Sequence, residues 1–461
     1  MAKRLSRRDF LQMAALLTGG AVLAACAPQP APTQAPAAAQ PTATTAAAQP
    51  TAPAAPTQAP AAASGKNVRM GVWAGPDEVK YFNQWVKPWQ DKGHSVNIEY
   101  VDWTTYWTKL PTQFSAGTAA DVLEMSNFTL QFGPQGVLAD LNPFITSNTD
   151  LKMDDFVAVP FEKFTYQGKL ISFPMCLTIQ ALCYNKDIFD KASEPYPDNT
   201  WDWTKMVTVA QKLTKDNTGK GPTDSGFDVT NVVQWGAEMS LDEESGWSCL
   251  VYQNGTDYWK DNYTTPNFTD PAVVEAFQFL ADMINKDQVS PSPAATQKFN
   301  GSVFQAGQAA FSRVGTYMLL PYLNNIKGFN WDVTVPPQGP KGRGVMADGI
   351  GWSMNQASTV QDDAFALIKY FNTDGQAFEG SQHWAVPILK SAFTSFATPP
   401  PEHVATLKEE FDYGHRWPAY TNQQQVDDFI GQKTTDIFNG KEPAAQGLKE
   451  IQDFVGPLVK G

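Results

Sequence analysis

The sequence predicts an α/β protein, with a parallel sheet between helices and a body large enough for two lobes. Three observations carry this. Residues 67–127 run strand, helix, strand, helix, strand, the order that lays successive strands parallel in one sheet. The body that begins near residue 64 holds nearly 400 residues, more than one core usually takes. The third strand, within "DVLEMSN", is short and reads as apolar inside, as in a sheet covered on both faces.

The chain opens on an address. Lys3, Arg4, Arg7 and Arg8 precede a weakly apolar run over residues 10–25. That run falls short of the roughly 20 apolar residues a membrane span needs, and it reads as an export signal. Ser6-Arg7-Arg8-Asp9-Phe10-Leu11 resembles a twin-arginine signal, the alternative being an ordinary secretory signal with a chance arginine pair. Leu23-Ala24-Ala25-Cys26 resembles a bacterial lipobox, which predicts cleavage before Cys26 and lipidation of its sulfur. Each buried CH₂ of an acyl chain contributes about 0.8 kcal/mol, so two or more chains hold a protein on a membrane. Residues 27–63 contain only Ala, Pro, Thr and Gln. Nothing there builds a core, so residues 27–64 are expected to be a disordered linker. Such a tether reaches about 35 Å when flexible and about 110 Å when fully extended. The sequence therefore places a globular body outside a membrane, on the cell surface or in the periplasm.

In the body, residues 67–75 alternate and then break at Gly75-Pro76, as a first strand does. Val79, Phe82, Trp85, Val86 and Trp89 follow at helical spacing. "HSVNIEYVDW" is a second strand, and "TTYWTKLPTQFSAGTAA" is a helix ending near Gly117. Trp85, Trp89, Trp201 and Trp203 sit in helical patterns and are expected to pack.

Charge and composition exclude several classes. The formal net charge is −13, and without the leader's four basic residues and Asp9 it is about −16. Nucleic acid and anionic lipid both need basic patches. Beyond Cys26, only Cys176, Cys183 and Cys249 remain, an odd set that forms no disulfide framework. Buried thiols are expected, with a Cys176–Cys183 bridge left open. His94, His383, His403 and His415 are scattered, without zinc-ligand spacing. There is no phosphate-cradling loop and no G-x-S-x-G elbow. No catalytic residue, metal or cofactor is predicted, and binding is favoured over catalysis.

A series of segments then carries a resemblance. "GVLADLNPFI", "YQGKLISFPMCLTIQALCYNKDIFDKA" and "PYPDNTWDWTKMVTVAQKLT" come first. "FQAGQAAFSRVGTY", "WDVTVPPQGPKGRGVMADGIGWSMN", "AFALIKYF" and "IFNGKEPAAQGLKEIQDFV" follow. In this order they resemble the carbohydrate-type solute-binding proteins of ABC importers, the maltose-binding-protein-like family 1. The resemblance covers almost the whole mature chain. It implies the two-lobed periplasmic-binding-protein fold of type II, with a ligand cleft between lobes joined by three hinge crossings. Residues 66–177 and 350–397 would form the N-terminal lobe, and residues 178–349 and 398–461 the C-terminal lobe. It also implies a sugar ligand, ABC permease partners and a monomer.

Sugars present hydroxyl edges and apolar C–H faces, so Trp or Tyr beside short polar residues past strand ends are the candidates. Trp73 and Asp77 follow the first strand, though Asp77 is equally a helix cap. Ser126 and Asn127 follow the third. Thr178 and Gln180 lie at the first hinge, Asp348 and Gly349 at the second, and Trp384 near the third. Glu244 precedes Trp247, where the family has a Trp before a helix; Glu244 also fits a solvated acidic face. Thr316 and Tyr317 match a family position where Gly leads into a stacking aromatic, and Arg416 lies on a late loop. Thr178 stands where maltose-binding protein has a carboxylate, which leaves the ligand open. A receptor for a polyol phosphate, an amino sugar or an acidic sugar is the alternative. An exported carbohydrate-active enzyme, with two carboxylates across the cleft, is a further one.

Overall fold

A computed structural model describes residues 67–459, apart from 262, 298, 300, 301 and 421. The signal, Cys26 and the linker lie outside the described residues, as do the side chains of Asp77 and Val159. Among the described residues no helix is long and apolar enough to cross a membrane.

Two five-stranded sheets organise the body. The first runs Val96–Val101, Val68–Trp73, Val122–Met125, Gly351–Met354, Phe173–Pro174 in spatial order. Its first three strands are parallel, with Val68 opposite Val96 and Met70 opposite Val122. Gly351–Met354 closes against Val122–Met125 in the antiparallel sense. The sheet is covered on both faces, as the apolar strands predict. Met70 and Val72 pack with Phe82 and Trp85 of helix Pro76–Asp91, while Leu123 and Met125 pack with Tyr106, Trp107 and Leu110 of helix Trp103–Ser115. One residue breaks the expectation of an apolar third strand. Glu124 is fully buried there, and its Oε2 accepts the Trp73 N–H at 3.2 Å. Burial, with Glu78 and Glu379 adding repulsion, pushes its carboxyl well up.

The second sheet runs Trp331–Thr334, Gln180–Asn185, Ala309–Gly315, Val232–Met239, Lys215–Asp216. Only Ala309–Gly315 and Val232–Met239 are parallel neighbours. Leu182 and Tyr184 face a core with the helices Trp203–Leu213, Pro271–Asn285, Gln423–Phe438 and Ala444–Leu458. Ala181 and Cys183 face a cluster that runs back through Cys176, Leu177 and Ile179 into the first sheet. Trp85, Trp89, Trp201 and Trp203 are buried. Cys176, Cys183 and Cys249 are buried free thiols.

The chain passes between the sheets side by side. Thr178 and Asp348 form an antiparallel bridge, and the Asp348 N–H donates to the Thr178 carbonyl at 3.0 Å. Gly349 explains the closeness: a Cβ there would sit 1.9 Å from the Cys176 carbonyl oxygen, so no other residue fits. Val386–Pro387 pairs with Cys176–Leu177, and Gly414–His415 pairs with Val345–Met346, so the late chain flanks the same crossings on both sides.

Candidate functional site

At the crossings the two sheets leave a cavity of about 300 Å³. From the first sheet's side, Trp73 ends its strand and Ser126 follows the third, so both stand beyond strand carboxyl ends, where ligands sit in open α/β sheets. Trp103 begins the next helix, capped by Asp102, and meets Trp73 edge-on with centroids 4.9 Å apart. Trp384 lies over Tyr81 at 5.3 Å and donates its indole N–H to Glu78 Oε1 at 3.2 Å. The other oxygen of Glu78 accepts the Gly75 N–H at 2.6 Å. One carboxylate thus fixes both a helix start and an aromatic wall.

From the second sheet's side come Tyr317, Glu244 and Trp417. Tyr317 follows the strand Ala309–Gly315 and lays its ring over Gly315; a Cβ on Gly315 would be 2.3 Å from the ring, so the glycine sets the ring's place. Glu244 sits in an irregular turn over Glu243–Trp247, broken at Gly246. The crossings themselves supply Cys176, Thr178, Asp348 and Gly349. Lys163, at the end of a short helix of the first lobe, donates to Asp348 Oδ2 and to the Gly349 carbonyl at 2.9 Å. Its ammonium also lies 5.7 Å from the Trp417 ring centroid. A wider cleft of about 860 Å³ adjoins this cavity and shares Trp103, Glu244, Tyr317 and Trp417 with it.

The electrostatics follow from burial. Glu244 is partly open to the cavity, but the protein around it displaces water and pushes its carboxyl up to about 8. Asp242 and Asp348 push the same way, and Lys163 and the Thr178 hydroxyl oppose them. Asp348 is 2 % exposed, and its burial outweighs Lys163, so it too is raised. Among the described residues its Oδ1 has no hydrogen-bond donor.

Eight of the residues picked from the sequence line this cavity: Trp73, Ser126, Thr178, Glu244, Tyr317, Asp348, Gly349 and Trp384. Glu244 is there rather than on a solvated face. Others are placed elsewhere. Trp247 is 1 % exposed, with Tyr258 and Phe277 each 4.8 Å from it, so it packs in the core while lining the wider cleft rather than this cavity. Gln180 is buried with its side chain on the Met346 carbonyl, and its N–H donates to Glu410. Thr316 is buried and its hydroxyl accepts the Ile179 N–H at 3.3 Å. Asn127 donates to Asp427 Oδ2 at 3.0 Å, bridging the lobes instead of facing the cavity. Arg416 pairs with Glu162 at 3.9 Å and covers the Tyr263 ring at 4.1 Å. Asp77 is the second residue of its helix, and its side chain lies outside those described.

Glu78, Trp103 and Lys163 line the cavity without having been picked. Trp103 was within reach of the rule that found Trp73, since it lies just past the end of the second strand. Lys163 carries no local signal at all.

Two α/β lobes with parallel-strand ends facing a shared, aromatic-walled cavity at side-by-side crossings define a two-lobed receptor for a small solute. The chain belongs to the bacterial extracellular solute-binding protein family, whose profile matches residues 75–378. Its fold is that of the type II periplasmic-binding proteins. An ABC substrate-binding protein of Listeria monocytogenes, solved in complex with cycloalternan, superposes with a TM-score of 0.74 at 22% identity, over 86% of this chain and 99% of its own. The maltose-bound MalE3 of T. maritima gives 0.70 at 21% identity, over 85% and 99%. A solute-binding protein of Thermotoga lettingae bound with α-D-tagatose gives 0.71 at 18%, over 86% and 100%. The family is one of solute-binding proteins.

Proposed function

We propose that this protein is a lipid-anchored extracytoplasmic receptor that captures a carbohydrate between its lobes and hands it to an ABC import permease. The observation that carries the reading is the wall of the cavity. Trp73, Trp103, Tyr317, Trp384 and Trp417 surround it, and Ser126, Thr178, Glu244 and Asp348 stand among them. Indole and phenol faces suit the C–H face of a sugar ring, and the polar groups suit its hydroxyl edge. The sugars named for the structural neighbours, cycloalternan, maltose and tagatose, support the same class. The lipobox at Cys26 supports the anchor, and the family supports delivery to a permease.

An anionic ligand is less well served. Among the described residues lining the cavity Lys163 is the only cation, and it is engaged by Asp348. Thermal-shift and calorimetric screening of the full-length protein against mono- and oligosaccharides tests the proposal. A sugar at a hundred times its dissociation constant should stabilise the fold by about 2.7 kcal/mol and be recovered unchanged. A panel in which no sugar raises the melting temperature, while a phosphorylated polyol or a sialic-acid-like anion does, overturns it.

A further inference from the structure

The carboxylates of the cavity and the hydrogen bonds they lack narrow the ligand's chemistry. Three carboxylates line it, Glu78, Glu244 and Asp348, against one lysine. Glu78 is used by the Gly75 N–H and the Trp384 indole. Lys163 is used by Asp348 Oδ2 and the Gly349 carbonyl. That leaves Glu244, which the Thr178 hydroxyl meets, and Asp348 Oδ1. The second is buried at 2 % exposure and, among the described residues, without a donor. The adjoining cleft deepens the imbalance: Asp242, Glu243 and Asp427 line it, and its Arg313 is buried and donates to the Gly246 carbonyl.

Around these two carboxylates stand five aromatic rings. Ring faces attract cations, and a desolvated ammonium gains more from them than an exposed one. A neutral hydroxyl satisfies a lone pair but brings no charge to hold a buried acid in its ionised form. A protonated amine brings both, with three N–H donors to share between two acids.

We infer that the solute carries a protonated amine, an amino sugar or an oligosaccharide with an amino-sugar unit, seated among these rings with Glu244 and Asp348 as its charge partners. The inference rests on the carbohydrate-receptor reading and names the ligand class within it.

Matched ligands test it by calorimetry on the full-length protein: glucose, glucosamine and N-acetylglucosamine, then cellobiose, chitobiose and its deacetylated form. At about pH 6 the amines are charged. In at least one series the amine form should bind about tenfold more tightly than its neutral counterparts. Glu244→Gln, which keeps the size of the side chain but cannot ionise against an ammonium, should abolish that preference, with amine and neutral sugar compared on the same variant. Neutral sugars binding as well as their amines overturn the inference and leave the receptor reading standing. A preference that survives Glu244→Gln overturns the charge partnership. If neither amines nor neutral sugars bind, the receptor reading falls and the inference falls with it.

Discussion

Trp247 and Tyr317 follow the same sequence logic and occupy opposite physical situations, so truncating each should produce opposite phenotypes. Trp247 is 1 % exposed and packed against Tyr258 and Phe277. Trp→Ala in such a core costs about 3–5 kcal/mol, because transfer free energy is lost and a cavity is left. Unfolding entropy near 60 °C is about 2.1 cal/mol/K per residue, so about 390 residues melting as one unit change by about 0.8 kcal/mol/K. Trp247→Ala should therefore lower the melting temperature by about 4–6 °C. Tyr317 is only partly buried, over Gly315 on one side and on the cavity on the other. Its truncation should cost about 1–2 kcal/mol of stability, about 1–2 °C. It should remove about 1–3 kcal/mol of binding, a five- to hundredfold rise in dissociation constant. Ligand-free melting and calorimetry with one sugar, on the same samples, read both effects. If Trp247→Ala melts with the parent and loses binding, its core placement is wrong. If Tyr317→Ala binds normally, its face is no part of the ligand wall.

Glu244 ties stability to pH. Its carboxyl is raised from 4.5 to about 8 on folding, so the folded state holds a proton that the unfolded chain has released, and stability falls as pH rises through that window. Glu244→Gln removes this dependence, so its melting advantage over the parent should grow between about pH 5 and pH 8 and then level off; a constant difference refutes the placement. Gly349→Ala should destabilise by at least about 1–3 kcal/mol and weaken sugar binding, since the new methyl meets the Cys176 carbonyl and forces the crossings apart; a variant with parental melting and affinity refutes the packing argument. Cys26→Ser should move the protein from the membrane fraction to the soluble fraction of the cells, and retention in the membrane refutes lipidation at that cysteine.

The first sheet was legible because its signal is local. Apolar alternation in Val68–Trp73 and Val96–Val101 and helical spacing between them leave one parallel arrangement. The rule that ligands lie past strand ends then reached Trp73 and Ser126. Applied once more, it would have reached Trp103. Glu124 was invisible as a buried acid, since its acceptor role depends on a backbone N–H in another strand. Trp247 was harder to read: a Trp ahead of a helix reads the same whether its ring turns toward the cleft or toward Phe277, and the packing of distant aromatics buries it at the cleft's edge. Lys163 meets Asp348 across 185 residues of sequence, a pairing no periodicity encodes. What sequence leaves out is the side chain whose role is assigned by a remote partner.

The same pairing bears on how the lobes move. Thr178, Asp348 and Gly349 are at once crossing residues and cavity wall, so a ligand touching them presses on the hinge directly. Lys163 joins the first lobe to the second crossing through a contact with both groups almost wholly buried, and removing one partner of such a pair costs about 3–5 kcal/mol. Opening that breaks it is therefore disfavoured, and the pair behaves as a pivot. Two further polar links across the lobes are weaker. Glu162, 76% exposed, meets Arg416 at 3.9 Å, and Asn127 meets Asp427 through one hydrogen bond of 3.0 Å. An exposed ion pair contributes about 0–1 kcal/mol and a single hydrogen bond about 0.5–1.5 kcal/mol. These two polar links therefore offer little resistance to separating the lobes about the crossings. A ligand that touched rings and acids of both lobes would then favour the arrangement in which it contacts both.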